Sequence, residues 1–271
     1  MALKVITGKK ARMRRCLIYG TPGVGKSTWA ASWPNVYAIC SERGMDDIGC
    51  DRCHVATFDE FREALMAVSS EDHDYRTLVI DSADWLEQLL WKAICQKYSK
   101  ESLADFDFGQ GYAKANKAWE WICGTITELC DRRNMGSVIV AHAKIDRYTP
   151  PTGAAYDRWQ LDLHKGAASH LCEWADEVFF VKYREYEVAK EKHFSKESRI
   201  IAIGEGERVC YTAERPAFIA KRHIEMPDEM PFPKTNGFAE YQRYWPTGTS
   251  PAGNINGIVK DGHSKQKETK E

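Results

Sequence analysis

The chain has 271 residues, 43% hydrophobic and 11% aromatic, and a formal net charge of −1. This composition suits a packed globular chain of one large or two small domains, and near-neutrality excludes nucleic-acid binding through a global field. No apolar run of about 18 residues marks a membrane span, residues 1–10 lack the apolar core of a signal peptide, and nine scattered cysteines suit reduced thiols in a cytoplasmic compartment.

In chain order, residues 1–13 read as a basic lead-in, and Lys9, Lys10, Arg12, Arg14 and Arg15 precede the first strand. A solvated approach explains them, with a nucleic-acid arm as the alternative. An apolar strand at 16–19 then runs into Gly20, Thr21, Pro22, Gly23, Val24, Gly25, Lys26 and Ser27, and Thr28 continues a predicted helix to Trp33. The pattern G-x-x-x-x-G-K-[ST] between strand and helix is a phosphate loop. Glycines let successive N–H groups turn inward on an anion, and the helix presents its own free donors to it. Lys26 is placed for the β- and γ-phosphates, and the Ser27 hydroxyl for magnesium.

Residues 36–40 read as a second buried strand, which puts Glu42 at its carboxyl end. A brief strand follows at 54–56, and Thr57 with Glu60 forms a capping-box pattern that opens a helix to about residue 69. The apolar strand at 75–82 ends in Asp81, the form of a Walker B acid that holds magnesium directly or through water. Residues 83–98 carry Trp85, Leu86, Leu89, Leu90 and Ile94 at helical spacing, a core face. After loop chemistry at 99–111, a long helix is predicted over 112–133, then a buried strand over 137–142 ending in His142. Residues 144–163 show little periodicity and read as a long functional loop. A helix at 165–174, a strand at 176–181, and antiparallel strands over 182–221 complete the domain, among them 199–203 and 217–220. The domain therefore spans 14–245, with 246–271 a disordered tail. Cys50 and Cys53 lack a second close pair, so structural zinc is not expected.

Strands alternating with helices predict an α/β three-layer fold with a largely parallel sheet and late antiparallel strands. Ligands bind such sheets at the carboxyl ends of the strands, where Lys26, Ser27, Glu42, Asp81 and His142 all fall. Glu42 is placed to polarise an attacking water, and His142 to sense the γ-phosphate.

The order of these elements resembles the RecA-type P-loop ATPase core. More narrowly, residues 20–27, the Glu42 strand end, 78–82, 107–112, 138–144 and 161–181 resemble the small phage RecA-like proteins of the single-strand-annealing recombinase (Sak-type) group. That resemblance implies ATP and Mg2+ bound between subunits of a ring or filament, with single-stranded DNA along its axis. It implies Glu42 as catalytic glutamate, Asp81 as Walker B acid and His142 as sensor. The family commonly has Glu-Gly-Gly after the second strand; this chain has Glu42, Arg43 and Gly44. Lys221 or Arg222 resembles the basic finger reaching a neighbour's γ-phosphate. The 144–163 loop takes the DNA-binding position, with Lys144, Arg147, Tyr148, Arg158 and Trp159 offering cations and stacking surfaces. A single-strand-binding protein is a further expected partner.

Two other functions stay open on the sequence. A small-molecule P-loop kinase would carry an arginine-rich lid, and arginines near the predicted edge are sparse. An ATP-dependent scaffold or helicase-loader component with weak turnover is the other.

Overall fold

A computed structural model describes Val5, residues 12–191 and residues 198–245; the predicted tail and most of the basic lead-in lie outside them. In order the strands are β1 (Arg15–Gly20), β2 (Val36–Cys40), β3 (Asp51–His54), β4 (Thr77–Asp81), β5 (Gly136–Tyr148), β6 (Tyr156–Leu161) and β7 (Glu177–Tyr183). They are followed by β8 (Tyr186–Glu191), β9 (Ser198–Ile203), β10 (Arg208–Tyr211) and β11 (Glu229–Pro231). The helices are α1 (Lys26–Ala31), α2 (Phe58–Ser70), α3 (Ala83–Lys97), α4 (Gln110–Arg133), α5 (Lys165–Trp174) and α6 (Gly237–Gln242).

The central sheet runs β11-β10-β7-β1-β5-β4-β2-β3. Its six strands from β7 to β3 are parallel, while β10 and β11 add antiparallel at the other edge. Strand alternation divides the core in two. Leu17, Tyr19, Leu78, Ile80 and Ile139 face one side with α2, α3, α4 and α5. Cys16, Ile18, Val79, Val138 and Val140 face the other, where Trp29, Trp33, Phe238 and Tyr241 of the α1 and α6 region pack. The result is the expected three-layer, mostly parallel α/β fold with antiparallel strands toward the C-terminus.

The helix starts follow local chemistry. The Thr57 side chain accepts from Glu60 N at 3.2 Å. The Glu60 carboxylate accepts from Ala56 N at 2.7 Å, one residue earlier than a standard capping box.

Three sequence expectations are corrected. The brief strand is Asp51–His54, earlier than 54–56. Residues 217–220 are not a strand: Phe218 forms isolated bridges to Trp159 and Arg215, and the adjoining Lys221 bridges Val178. The stretch 144–163 is mostly a hairpin: β5 runs on to Tyr148 and β6 returns antiparallel, pairing Ala143 with Leu161 and Tyr148 with Tyr156. Pro150, Pro151 and Gly153 at the turn hide the alternation of the two arms.

Candidate functional site

β1 delivers the glycine-rich loop, and three neighbouring strands deliver the other groups. Gly20 stands opposite His142, and Asp81 stands between Cys40 and Val140. Because β5 separates β1 from β4, His142 sits along the sheet edge between the loop and Asp81. A cleft of about 290 Å³ forms there, lined by Lys26, Ser27, Glu42, Asp81 and His142 among others. The residues expected at strand ends share this one cleft, although β5 runs on past His142 to Tyr148.

The loop needs glycine at Gly25, where φ is 100° and a Cβ would lie 2.5 Å from the Arg208 guanidinium. Arg208 in turn donates to the Val24 carbonyl at 2.8 Å. The Tyr183 hydroxyl donates to the Gly23 carbonyl at 3.2 Å. Side chains from β10 and β7 therefore anchor the loop from behind. Nothing near the motif announces either residue, since both lie more than 150 positions downstream.

Lys26 is buried and its ammonium donates to the Gly20 and Thr21 carbonyls, each at 3.1 Å. Burial pushes its pKa down, while Asp81, Asp84 and Glu42 pull it up. Asp81 is fully buried, and its pKa is pushed up to about 6, chiefly by burial and further by Glu42. Ser27 and Lys26 oppose that rise, yet neither Asp81 oxygen accepts a well-formed hydrogen bond. A buried carboxylate with open oxygens beside a hydroxyl suits a hard divalent cation, with the remaining ligands coming from phosphate and water. Glu42 converges on the same point: a Cβ placed on Gly44 would lie 3.7 Å from Glu42 Oε1 and 3.8 Å from Asp81 Oδ2.

The sequence reading missed Asp84, in the first turn of α3. Its carboxylate accepts from the His142 backbone N–H at 3.0 Å and pairs with His142 Nδ1 at 2.9 Å. The hydrogen bond to Asp84 pushes the His142 pKa up, against burial. Burial alone would raise Asp84, but its bonds to His142 dominate and leave it below its ordinary value. Asp84 lies three residues past Asp81, and only the sheet order brings it to His142, 58 residues downstream. Asp84→Asn should therefore lower the midpoint at which His142 titrates, read from its ring protons by NMR. An unchanged midpoint would contradict this role for Asp84.

The residues assigned to DNA contact lie on the hairpin but divide by environment. Arg158 is buried, pairing with Glu214 at 2.6 Å and donating to the Phe218 carbonyl at 3.2 Å. Trp159 packs on Phe180. Lys144 reaches the Leu163 carbonyl and Asp162, at 3.2 and 3.3 Å. Arg147 is exposed and paired with Asp157 at 3.2 Å, Tyr148 packs on Tyr156, and Ile145 is exposed. The basic pair is also engaged. Lys221 donates to the Cys172 and Glu173 carbonyls at the end of α5, at 2.7 and 3.0 Å. Arg222 pairs with Asp228 at 2.8 Å.

Arg12, ahead of β1, and Arg15, its first residue, fold inward. Arg12 and Arg15 reach Asp176 at 2.5 and 3.1 Å, holding that acid well below the usual carboxylate range despite its burial. Among the described residues, no group of three or more metal-ligating side chains, including those near Cys50 and Cys53, is placed to hold an ion.

The family model described as an AAA domain matches residues 12–224. The crystal structure of the RadB recombinase is similar at 13% identity and a TM-score of 0.45, covering 84% of this chain and 91% of that one. No curated protein matches the sequence.

Proposed function

The chain belongs to the AAA domain family, and on that premise we propose that it binds and hydrolyses ATP while acting on single-stranded DNA as a homo-oligomer. The narrower assignment, to the phage RecA-like single-strand-annealing group, belongs to the same proposal, with recombination or strand annealing as its purpose. One observation carries the ATPase reading: Lys26, Ser27, Glu42, Asp81 and His142, drawn from four neighbouring strands and the segments that leave them, line one cleft.

In this reading the loop and Lys26 bind the phosphates. Ser27 and Asp81 would hold a magnesium ion, which when bound neutralises charge on the phosphates. The Glu42 carboxylate accepts a proton from the attacking water. His142, oriented by Asp84, meets the γ-phosphate from the strand that continues into the hairpin. A change at the phosphate is thereby felt at the root of β5, whose far end carries Ile145, Arg147 and Tyr148.

The hairpin supports DNA contact through that exposed tip, while buried Arg158 and half-buried Trp159 shape it from beneath. The Arg147–Asp157 pair is exposed on both sides, so it costs little to exchange for a phosphate. For a neighbour's site, Arg222 is the freer of the two finger candidates, because it leaves only side-chain partners, Asp228 and Thr212. Lys221 would uncap a helix end.

ATP turnover should rise when oligo-dT is added to the native chain, with Arg147→Ala reducing the stimulation. Unstimulated turnover, together with no retention of oligo-dT in a gel shift, would remove DNA from the proposal and leave the nucleotide site standing.

A further inference from the structure

The two 3-10 turns before α4 present an aromatic knob. Phe106 is buried against Tyr98, but Phe108 is fully exposed. Its backbone sits at φ 52° and ψ 30°, a left-handed conformation unfavourable for a bulky side chain. A large apolar side chain is thus held in water in a conformation that its bulk disfavours.

Beside it lies a groove of about 820 Å³ between α2, α3 and α4. Its floor is apolar, from Phe58, Leu90, Ile94, Ala118 and Trp121. Its lining carries Asp59 paired with Arg62 and two further cations: Lys97 and Lys114 lie over the half-exposed Tyr98 ring, and neither has a carboxylate partner among the described residues. The knob carries the opposite sign, with Glu101, Asp105 and Asp107 against Lys100.

We propose that this face joins two copies of the chain, with Phe108 of each seated in the groove of the other. The charges argue for it: the acidic flanks of the knob complement the Lys97 and Lys114 rim, and they repel the phosphates of a nucleic acid. Knob and groove adjoin on one face, the first three turns of α4 contributing Lys114, Ala118 and Trp121 to the groove. A two-fold axis therefore uses both knobs and both grooves at once and closes a dimer. An exposed aromatic anchor entering an apolar pocket with a charged rim is the pattern of an interface hot spot. This contact does not depend on the nucleotide reading.

The test is sedimentation velocity of the full chain across a concentration series without nucleotide. The native chain should sediment as a dimer that dissociates on dilution, and Phe108→Asp should weaken it by at least about a hundredfold. Because Phe108 is exposed, the variant keeps its circular dichroism. Asp107→Lys and Lys114→Glu should each weaken the dimer about tenfold, and the two together should restore it to near native strength. A native chain that stays monomeric, a Phe108→Asp variant that still dimerises, or a double variant no better than either single one overturns the proposal. So does a monomeric native chain whose retention of oligo-dT is abolished by Phe108→Asp, which would assign the face to DNA.

Discussion

Lys26→Ala should reduce ATP turnover by at least about a hundredfold and leave the fold intact. The ammonium is held at the bend of the loop by two backbone carbonyls and lies beside Asp81, Asp84 and Glu42. A phosphate entering the cleft offers that cation a stronger acceptor than either carbonyl, through a charge-assisted bond in a partly desolvated site. Alanine removes it without disturbing the strands, because the loop stays anchored through Arg208 and Tyr183. The measurement is steady-state phosphate release beside a urea titration of both proteins. Native-like turnover in a folded variant would place the chemistry elsewhere.

Asp81→Asn has two large effects of opposite sign. Turnover supported by magnesium should collapse by a similar factor, because a neutral amide is a poor ligand for a hard cation. The metal-free fold should gain stability. Burial raises the Asp81 pKa from 3.8 to about 6, so charging it in the folded state is harder than in the unfolded one. A group of this kind contributes most at low pH, and its contribution is lost as pH rises through about 6. Above pH 7 the accumulated difference is about 3 kcal/mol, an upper bound on what the amide recovers, since it also needs partners. Denaturation in chelator at pH 8 should show Asp81→Asn more stable than the native chain, with the gap closing by pH 4. A variant less stable at both values would contradict the strained-carboxylate account.

The site was legible to the extent that its residues stand at strand ends. Glycine spacing identified the loop, and apolar runs stopping at Asp81 and His142 located their edge. What stayed hidden depends on pairing across long sequence distances. Asp84 reads as an ordinary acid in a helix's first turn until the sheet order brings His142 over it. Arg208 and Tyr183 support the loop from strands that carry no motif of their own. The hairpin is hidden because its turn residues dominate the composition and its return arm, residues 156–161, mixes polar and apolar groups on both faces. Arg158 reads as a phosphate ligand because its partner Glu214 is 56 residues away. Charge type is visible in a sequence, whereas whether a charge is already spent on a partner is not.

Hydrogen exchange of the native chain with and without ATP and magnesium tests the central claim most directly. Nucleotide held by the loop should slow the amides of residues 23–28 and those around His142, while the amides of α5 and α6 exchange as before. ATP that binds without protecting residues 23–28, or that fails to bind at millimolar concentration, would contradict the assignment of this cleft.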